Sequence, residues 1–160
     1  RAQSLLISHW SFIAASFIAL YKNYDGEVAT DIIEAEAVKQ GKSVVYAAPV
    51  SGRPLQFIQA KEWTATSYGL PIPLGPEITL QEHDVIVVPG VGFDRDGYRI
   101  GFGGGHYDRT LAQSPARTIG LAYECQLVDR CPRADWDHPV RSLATEKALY
   151  EFDSWETTDC

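Results

Sequence analysis

Short apolar runs separated by polar, glycine-marked breaks set the rhythm of this chain, and helical stretches fall between them. Leu5 to Tyr21 is rather apolar but is interrupted by His9 and Trp10, and reads as a helix end followed by a core strand, Phe17-Ile-Ala-Leu-Tyr21. Lys22 to Glu27 is a polar turn with Asp25-Gly26 at its centre. A helix is predicted next. Thr30 or Asp31 caps it, Glu34 follows Asp31 by three positions, and it runs through Lys39 to a stop at Gly41. Ser43 to Ala48 is a second β-branched run, so strand, helix and strand imply a right-handed crossover and a parallel pair. Pro49 to Pro54, containing Ser51-Gly52, turns into a short strand at Leu55 to Ile58. Lys61 to Gln81 has little periodicity and several prolines, and reads as a long surface connection in which Tyr68 to Pro73 is extended.

The next apolar run, Val85 to Val88, has no polar break, as expected of a parallel strand buried on both faces. Pro89-Gly90 stops it and a second turn follows at Asp96-Gly97. A helix is predicted near Tyr107 to Gln113, then a strand around Thr118 to Ala122. A segment containing Pro132 and Trp136 follows, and a last short strand falls near Ser142 to Thr145. The predicted fold is a three-layer α/β domain with a largely parallel, Rossmann-like sheet and helices on both faces.

Composition narrows the classes. The 160 residues (17.7 kDa) are enough for one domain with a proper core, and 45% hydrophobic with 22% charged residues is the balance of a globular protein. A net charge of -7 argues against nucleic-acid or anionic-membrane partners, although a local loop can still bind an anion. Cys125, Cys131 and Cys160 form neither a paired metal spacing nor an even disulfide set, which points to a reducing cytoplasm. No long uncharged apolar span or secretory leader stands out. His83 and His138 adjoin acids without a spacing partner, and neither Cys125 nor Cys131 has a nearby base.

Candidate chemistry collects after Val88. Four glycines fall in five positions (Gly101, Gly103, Gly104, Gly105), between a strand and a helix start. Glycine admits close approach to the backbone, and the first helical turn presents free N–H groups and the positive end of its dipole. Arg99 offers a planar cation for phosphate or carboxylate, and Asp108 a hard oxygen ligand suited to magnesium. The cluster alone is equally a glycine turn with solvated charges. No Gly-Lys-Ser/Thr follows it, and His106 stands where a dinucleotide fingerprint needs glycine. Glu27 lies in the turn after the first strand, where open α/β sheets bind ligands; by spacing alone it is a loop acid.

The whole string is more specific. Pro89-Gly-Val-Gly-Phe-Asp94 followed by Gly97-Tyr-Arg-Ile-Gly-Phe-Gly-Gly-Gly-His-Tyr-Asp-Arg109 closely resembles the signature of the 5-formyltetrahydrofolate cyclo-ligase (methenyltetrahydrofolate synthetase) family. The resemblance covers roughly Phe17 to Glu146. It implies a monomeric ligase of folate metabolism that uses ATP as co-substrate and magnesium as cofactor to cyclise 5-formyltetrahydrofolate. The formyl oxygen is phosphorylated, and ADP and phosphate are released. It implies ATP contacts at Arg99, Gly101, Phe102, Gly103, Gly104, Gly105, His106 and Tyr107. Folate contacts are implied at Glu27 and along Phe102 to Tyr107, a catalytic role at Tyr107 and Arg99, and the metal at Asp108.

The chain departs from the family pattern in three places. His106 replaces the first of two tyrosines, for which altered affinity rather than lost activity is expected. Trp136-Asp-His-Pro-Val-Arg141 puts Arg141 at the family's second metal aspartate, leaving Asp137 or water as substitutes, or Arg141 as a phosphate contact. The family's N-terminal helix with a Lys-x-x-x-Arg pattern has no counterpart in the chain, so weakened ATP binding is expected. The alternatives are a non-catalytic folate- or nucleotide-binding paralogue, and an unrelated phosphate-binding isomerase with a base near the glycine loop.

Overall fold

The computed structural model describes residues 1–23, 26–101 and 103–152. The chain opens with α1 (Ala2–Ser8) and α2 (Trp10–Ala14), then β1 (Phe17–Leu20), α3 (Asp31–Lys39), β2 (Ser43–Ala48) and β3 (Gln56–Ile58). Next come β4 (Glu62–Ala65), β5 (Pro71–Leu74), β6 (Val85–Val88), β7 (Gly92–Phe93) and β8 (Arg99–Ile100). α4 (His106–Gln113), β9 (Arg117–Leu121), β10 (Ser142–Ala144) and β11 (Leu149–Glu151) complete it.

Seven strands form one sheet in the order β11-β10-β9-β6-β1-β2-β3. Its five inner strands are parallel and the two edge strands, β3 and β11, antiparallel. The alternation of strand side chains divides the core in two. Ile18, Leu20, Val85, Val87, Ile119 and Leu121 face the layer made by α1, α2 and α3, where Leu6, Phe12, Ile33 and Ala37 pack. Ala19, Val45, Ile86 and Val88 face the opposite layer, with Phe93, Leu111 and Tyr107. The three-layer, largely parallel sheet expected from the apolar runs is therefore present, with helices on both faces.

Three local expectations are corrected. Lys61 to Gln81 is more than a surface connection: β5 falls where an extended stretch was expected, and it pairs with β4 as an antiparallel ribbon, with Trp63 opposite Pro73 and Ala65 opposite Pro71. A two-stranded ribbon hydrogen-bonds on one side only, so prolines at alternate positions need give up no ladder bond. β4 is exposed along its whole length, which is why no burial pattern marked it. The capping box expected at Asp31 and Glu34 does not form. Instead Gln3 Oε1 of α1 accepts from the N–H groups of Ile32 and Ile33 at 2.8 and 3.1 Å, while the Thr30 hydroxyl donates to the Tyr21 carbonyl. The chain also continues past the expected last strand into β11.

β1 is the point where strand order reverses. Its successor β2 lies on one side and β6 on the other, so a crevice opens outside the carboxyl ends of β1 and β6. Among the described residues no helix is long and apolar enough to cross a membrane.

Candidate active site

A cleft of about 690 Å³ occupies that crevice, walled by the segments following β1, β2 and β6, by the β4–β5 ribbon and by the start of α4. Arg99 enters from β8. Its Nη1 donates to the Pro89 carbonyl at 3.1 Å, which folds the guanidinium back over the end of β6. Gly101 makes room for this: a Cβ there would lie 2.9 Å from Arg99 Nη1. The guanidinium carbon sits 4.9 Å from the centre of the Tyr107 ring. Arg99 Nε is buried with no hydrogen-bond partner among the described residues. Burial works against the charge of Arg99, and Asp108, Tyr107, Asp137 and Glu27 oppose that effect. A cation held this way, with an unused donor beside a cleft, is suited to an anionic ligand.

α4 begins at His106 after Gly105, which stands at φ +70° and needs no cap side chain. Arg109 Nη1 donates to the Gly104 carbonyl at 2.9 Å and fixes that peptide, and Thr110 ties α4 to Leu55 through a 2.8 Å bond from the Leu55 N–H. Gly104, Gly105, His106 and Tyr107 line the cleft. Tyr107 is the second residue of the helix. Burial raises its pKa, Arg99 opposes and Glu27 reinforces, so it stands as a neutral phenol able to donate. Glu27 lines the cleft on the β1 side. Its segment is held by Tyr21, whose hydroxyl donates to the Val28 carbonyl at 2.6 Å and whose pKa is also raised by burial and then by Glu27.

Asp108, third in α4, is half-buried beside Arg99 and Asp137. Burial raises its pKa and Arg99 lowers it. Asp137 raises it again, and the His138 backbone N–H lowers it. An Asp108 carboxylate whose ionisation is made costlier by burial and by Asp137 is suited to a divalent cation beside it. Among the described residues no group of three or more His, Cys, Asp or Glu surrounds a metal position.

The structure thus brings Glu27, Arg99, Gly104, Gly105, His106 and Tyr107 to one cleft. Gly101 and Gly103 lie in its supporting loop, with Gly103 exposed at φ +91°. Phe102 falls outside the described residues. Arg141 is exposed before β10, its N–H on Thr118 Oγ1 at 3.0 Å, and does not line the cleft. Sequence reasoning missed Tyr21, Lys22, Tyr46 and Trp63 as cleft residues; Leu70 and Ile72, in the stretch expected to be extended, line it too. The position of Lys22 directly after a core strand was the available signal; for Trp63 there was none.

Known proteins point the same way. The model of the 5-formyltetrahydrofolate cyclo-ligase family matches residues 1–146. The 5-formyltetrahydrofolate cyclo-ligase of Haemophilus influenzae is 34% identical over 137 residues, 79% of this chain and 73% of that protein. The Escherichia coli K12 protein of the same name is 28% identical over 163 residues, covering 95% of this chain and 90% of its own length. The solution structure of Aquifex aeolicus 5,10-methenyltetrahydrofolate synthetase superposes with a TM-score of 0.80 at 32% identity, over 99% of this chain and 83% of the other. The chain belongs to the 5-formyltetrahydrofolate cyclo-ligase family.

Proposed function

We propose that this chain catalyses the ATP-dependent cyclisation of 5-formyltetrahydrofolate to 5,10-methenyltetrahydrofolate, with release of ADP and phosphate. The observation that carries the reading is the meeting of Arg99, with its unpartnered Nε, Tyr107, Glu27 and the glycine loop in one cleft at the strand-order reversal. The relatives carry the name of the enzyme, and no observation favours the non-catalytic alternative.

The chemistry follows from the groups present. The oxygen of an N-formyl group is a poor leaving group. It attacks the γ-phosphorus of ATP, the bond from that phosphorus to the ADP oxygen breaks, and the oxygen becomes a phosphate ester. N10 then attacks the activated carbon and loses its proton, and the ring closes as phosphate leaves with the oxygen. Phosphoryl transfer of this kind asks for positioning and charge stabilisation rather than a covalent nucleophile. The N–H groups opening α4 and the Arg99 guanidinium would bind phosphate oxygens, and the neutral Tyr107 phenol would donate near the formyl group, a reading supported by their shared cleft. Glu27 is suited to accept from the N–H donors of the pterin. Asp108, with Asp137 beside it, would hold magnesium, which when bound supplies charge neutralisation at the phosphates. Cys125 and Cys131 are both free thiols, consistent with a reducing cytoplasm, and we assign a monomer there.

The test is direct. Incubated with 5-formyltetrahydrofolate, the protein should generate the methenyl chromophore near the ultraviolet–visible boundary only when ATP and magnesium are present. Folate binding without any ATP-dependent chromophore would replace this reading by the non-catalytic one.

A further inference from the structure

We infer that Lys22, framed by Tyr46 and Trp63 on the β2 side of the cleft, is the binding group for the glutamyl carboxylates of the folate substrate. This rests on the proposed reaction and adds a subsite to it. Lys22 follows the core residue Tyr21. Its Nζ lies 4.6 Å from the centre of the Tyr46 ring and 5.1 Å from that of Trp63. The two rings meet edge to face, 4.8 Å apart at 72°. All three side chains belong to residues that line the cleft. Glu34 of α3 backs the group, accepting from the Tyr46 hydroxyl and, at 3.4 Å, from Lys22 Nζ.

The plain alternative is a surface ion pair. Its length speaks against that as the whole explanation, because a charge-assisted N–H···O bond settles near 2.7–2.9 Å. An ammonium has three donors and Glu34 takes one, weakly. Two aromatic rings hold the ammonium in place against the cleft wall instead.

The identity of the anion comes from the layout. Among the described lining residues the lysines and arginines are Lys22 and Arg99. Arg99 docks on Pro89 after β6 and Lys22 against Tyr46 of β2, and β6 and β2 flank β1 on opposite sides. On the β2 side, where Trp63 packs on Tyr46 and Lys22, the ribbon and the turn before β5 add Leu70, Pro71, Ile72 and Pro73, an apolar edge suited to a flat aromatic linker that ends at Lys22. A reduced folate has its pterin at one end, such a linker in the middle, and its carboxylates at the other end. With the pterin at Glu27 and Tyr107, the carboxylates reach the cation that the phosphates do not use.

The experiment compares the parent protein with Lys22→Met, which keeps the aliphatic stem between the rings, and Lys22→Arg, which keeps the charge. Each is titrated calorimetrically with 5-formyltetrahydrofolate and with 5-formyltetrahydropteroate, which lacks the glutamate. The KM for ATP is measured alongside, and a thermal melt reports the fold. The parent should prefer the glutamylated compound by about tenfold or more, as one charge-assisted contact allows. Lys22→Met should lose most of that preference, Lys22→Arg should retain it, and the ATP KM should not follow. A preference that persists in folded Lys22→Met overturns the inference, as does a rise in ATP KM, which would give Lys22 to the phosphates. In both cases ATP-dependent turnover by the parent leaves the proposed reaction standing. If the folded parent binds neither compound, the reaction and the subsite fall together.

Discussion

Gly101 shows how much one missing side chain decides. Arg99 can fold onto the Pro89 carbonyl and over Tyr107 because no Cβ stands at position 101; one there would meet the guanidinium at 2.9–3.2 Å. The obstructed group is the far end of a flexible side chain, so Gly101→Ala should move Arg99 while sparing the fold. A charge-assisted hydrogen bond is worth roughly 1.5–3 kcal/mol. Its loss should lower kcat/KM for ATP by about tenfold to a hundredfold, with the melting temperature nearly unchanged. Steady-state assays with a parallel melt check this, and an unchanged kcat/KM would remove Arg99 from the phosphate site. At this scale much was legible. Arg99 and Tyr107 were named from one string of glycines and charges and Glu27 from the turn after the first strand, and all three line the cleft.

At the scale of elements, the hairpin of β7 and β8 is held from inside. Asp94 is fully buried and its carboxylate accepts from four donors. These are the N–H groups of Asp96 and Tyr98 at 2.9 and 3.1 Å, that of Cys131 at 2.9 Å, and Arg133 Nη2 at 3.1 Å. It thereby joins the turn before Arg99 to the segment that carries Asp137 toward Asp108. Burial would raise its pKa, but the N–H groups of Cys131 and Asp96, then Arg133, outweigh burial and hold it below the ordinary value. Asp94→Asn turns an amide N–H₂ toward these donors. It should cost about 3 kcal/mol, which for a domain of this size lowers the melting temperature by about 6–12 °C. The sign of the pH effect is set by the depressed pKa. The stability Asp94 provides is complete above the unfolded aspartate range, about pH 4, and is lost as pH falls through the lower folded value. Denaturant melts of parent and Asp94→Asn should therefore converge in acid; a gap that stays constant down to pH 2 would contradict the assignment.

For the whole molecule, a net charge of -7 is compatible with anionic ligands because Arg99 and Lys22 stand inside the cleft. A ligand that binds only this assembled cleft must stabilise the entire fold, because the cleft walls come from segments following β1, β2 and β6 as well as from the ribbon and α4. At a hundredfold excess over Kd the gain is about 2.7 kcal/mol. 5-Formyltetrahydrofolate should then raise the melting temperature by about 5–10 °C. A melt that does not move at millimolar folate would mean that the cleft does not take it.

The sequence by itself determined the parts whose causes are local. Val85 to Val88 had to be a doubly buried strand because four adjacent apolar residues leave no polar face. The Asp31–Lys39 helix was legible through Gly41, which stands at φ +74° past its end. The long string from Pro89 to Arg109 carried the family because its glycines and charges sit at fixed offsets. Tertiary structure decided which distant residues meet. Gln3 caps α3 from another helix, so the Asp31–Glu34 signal was overridden by a better acceptor brought close in space. β4 and its pairing with the extended β5 segment escaped notice because an exposed, proline-bearing pair has neither burial period nor β-branched run. Lys22, Tyr46 and Trp63 come from a turn, a strand and that ribbon, and only the sheet order, which no local pattern encodes, closes them around one ammonium.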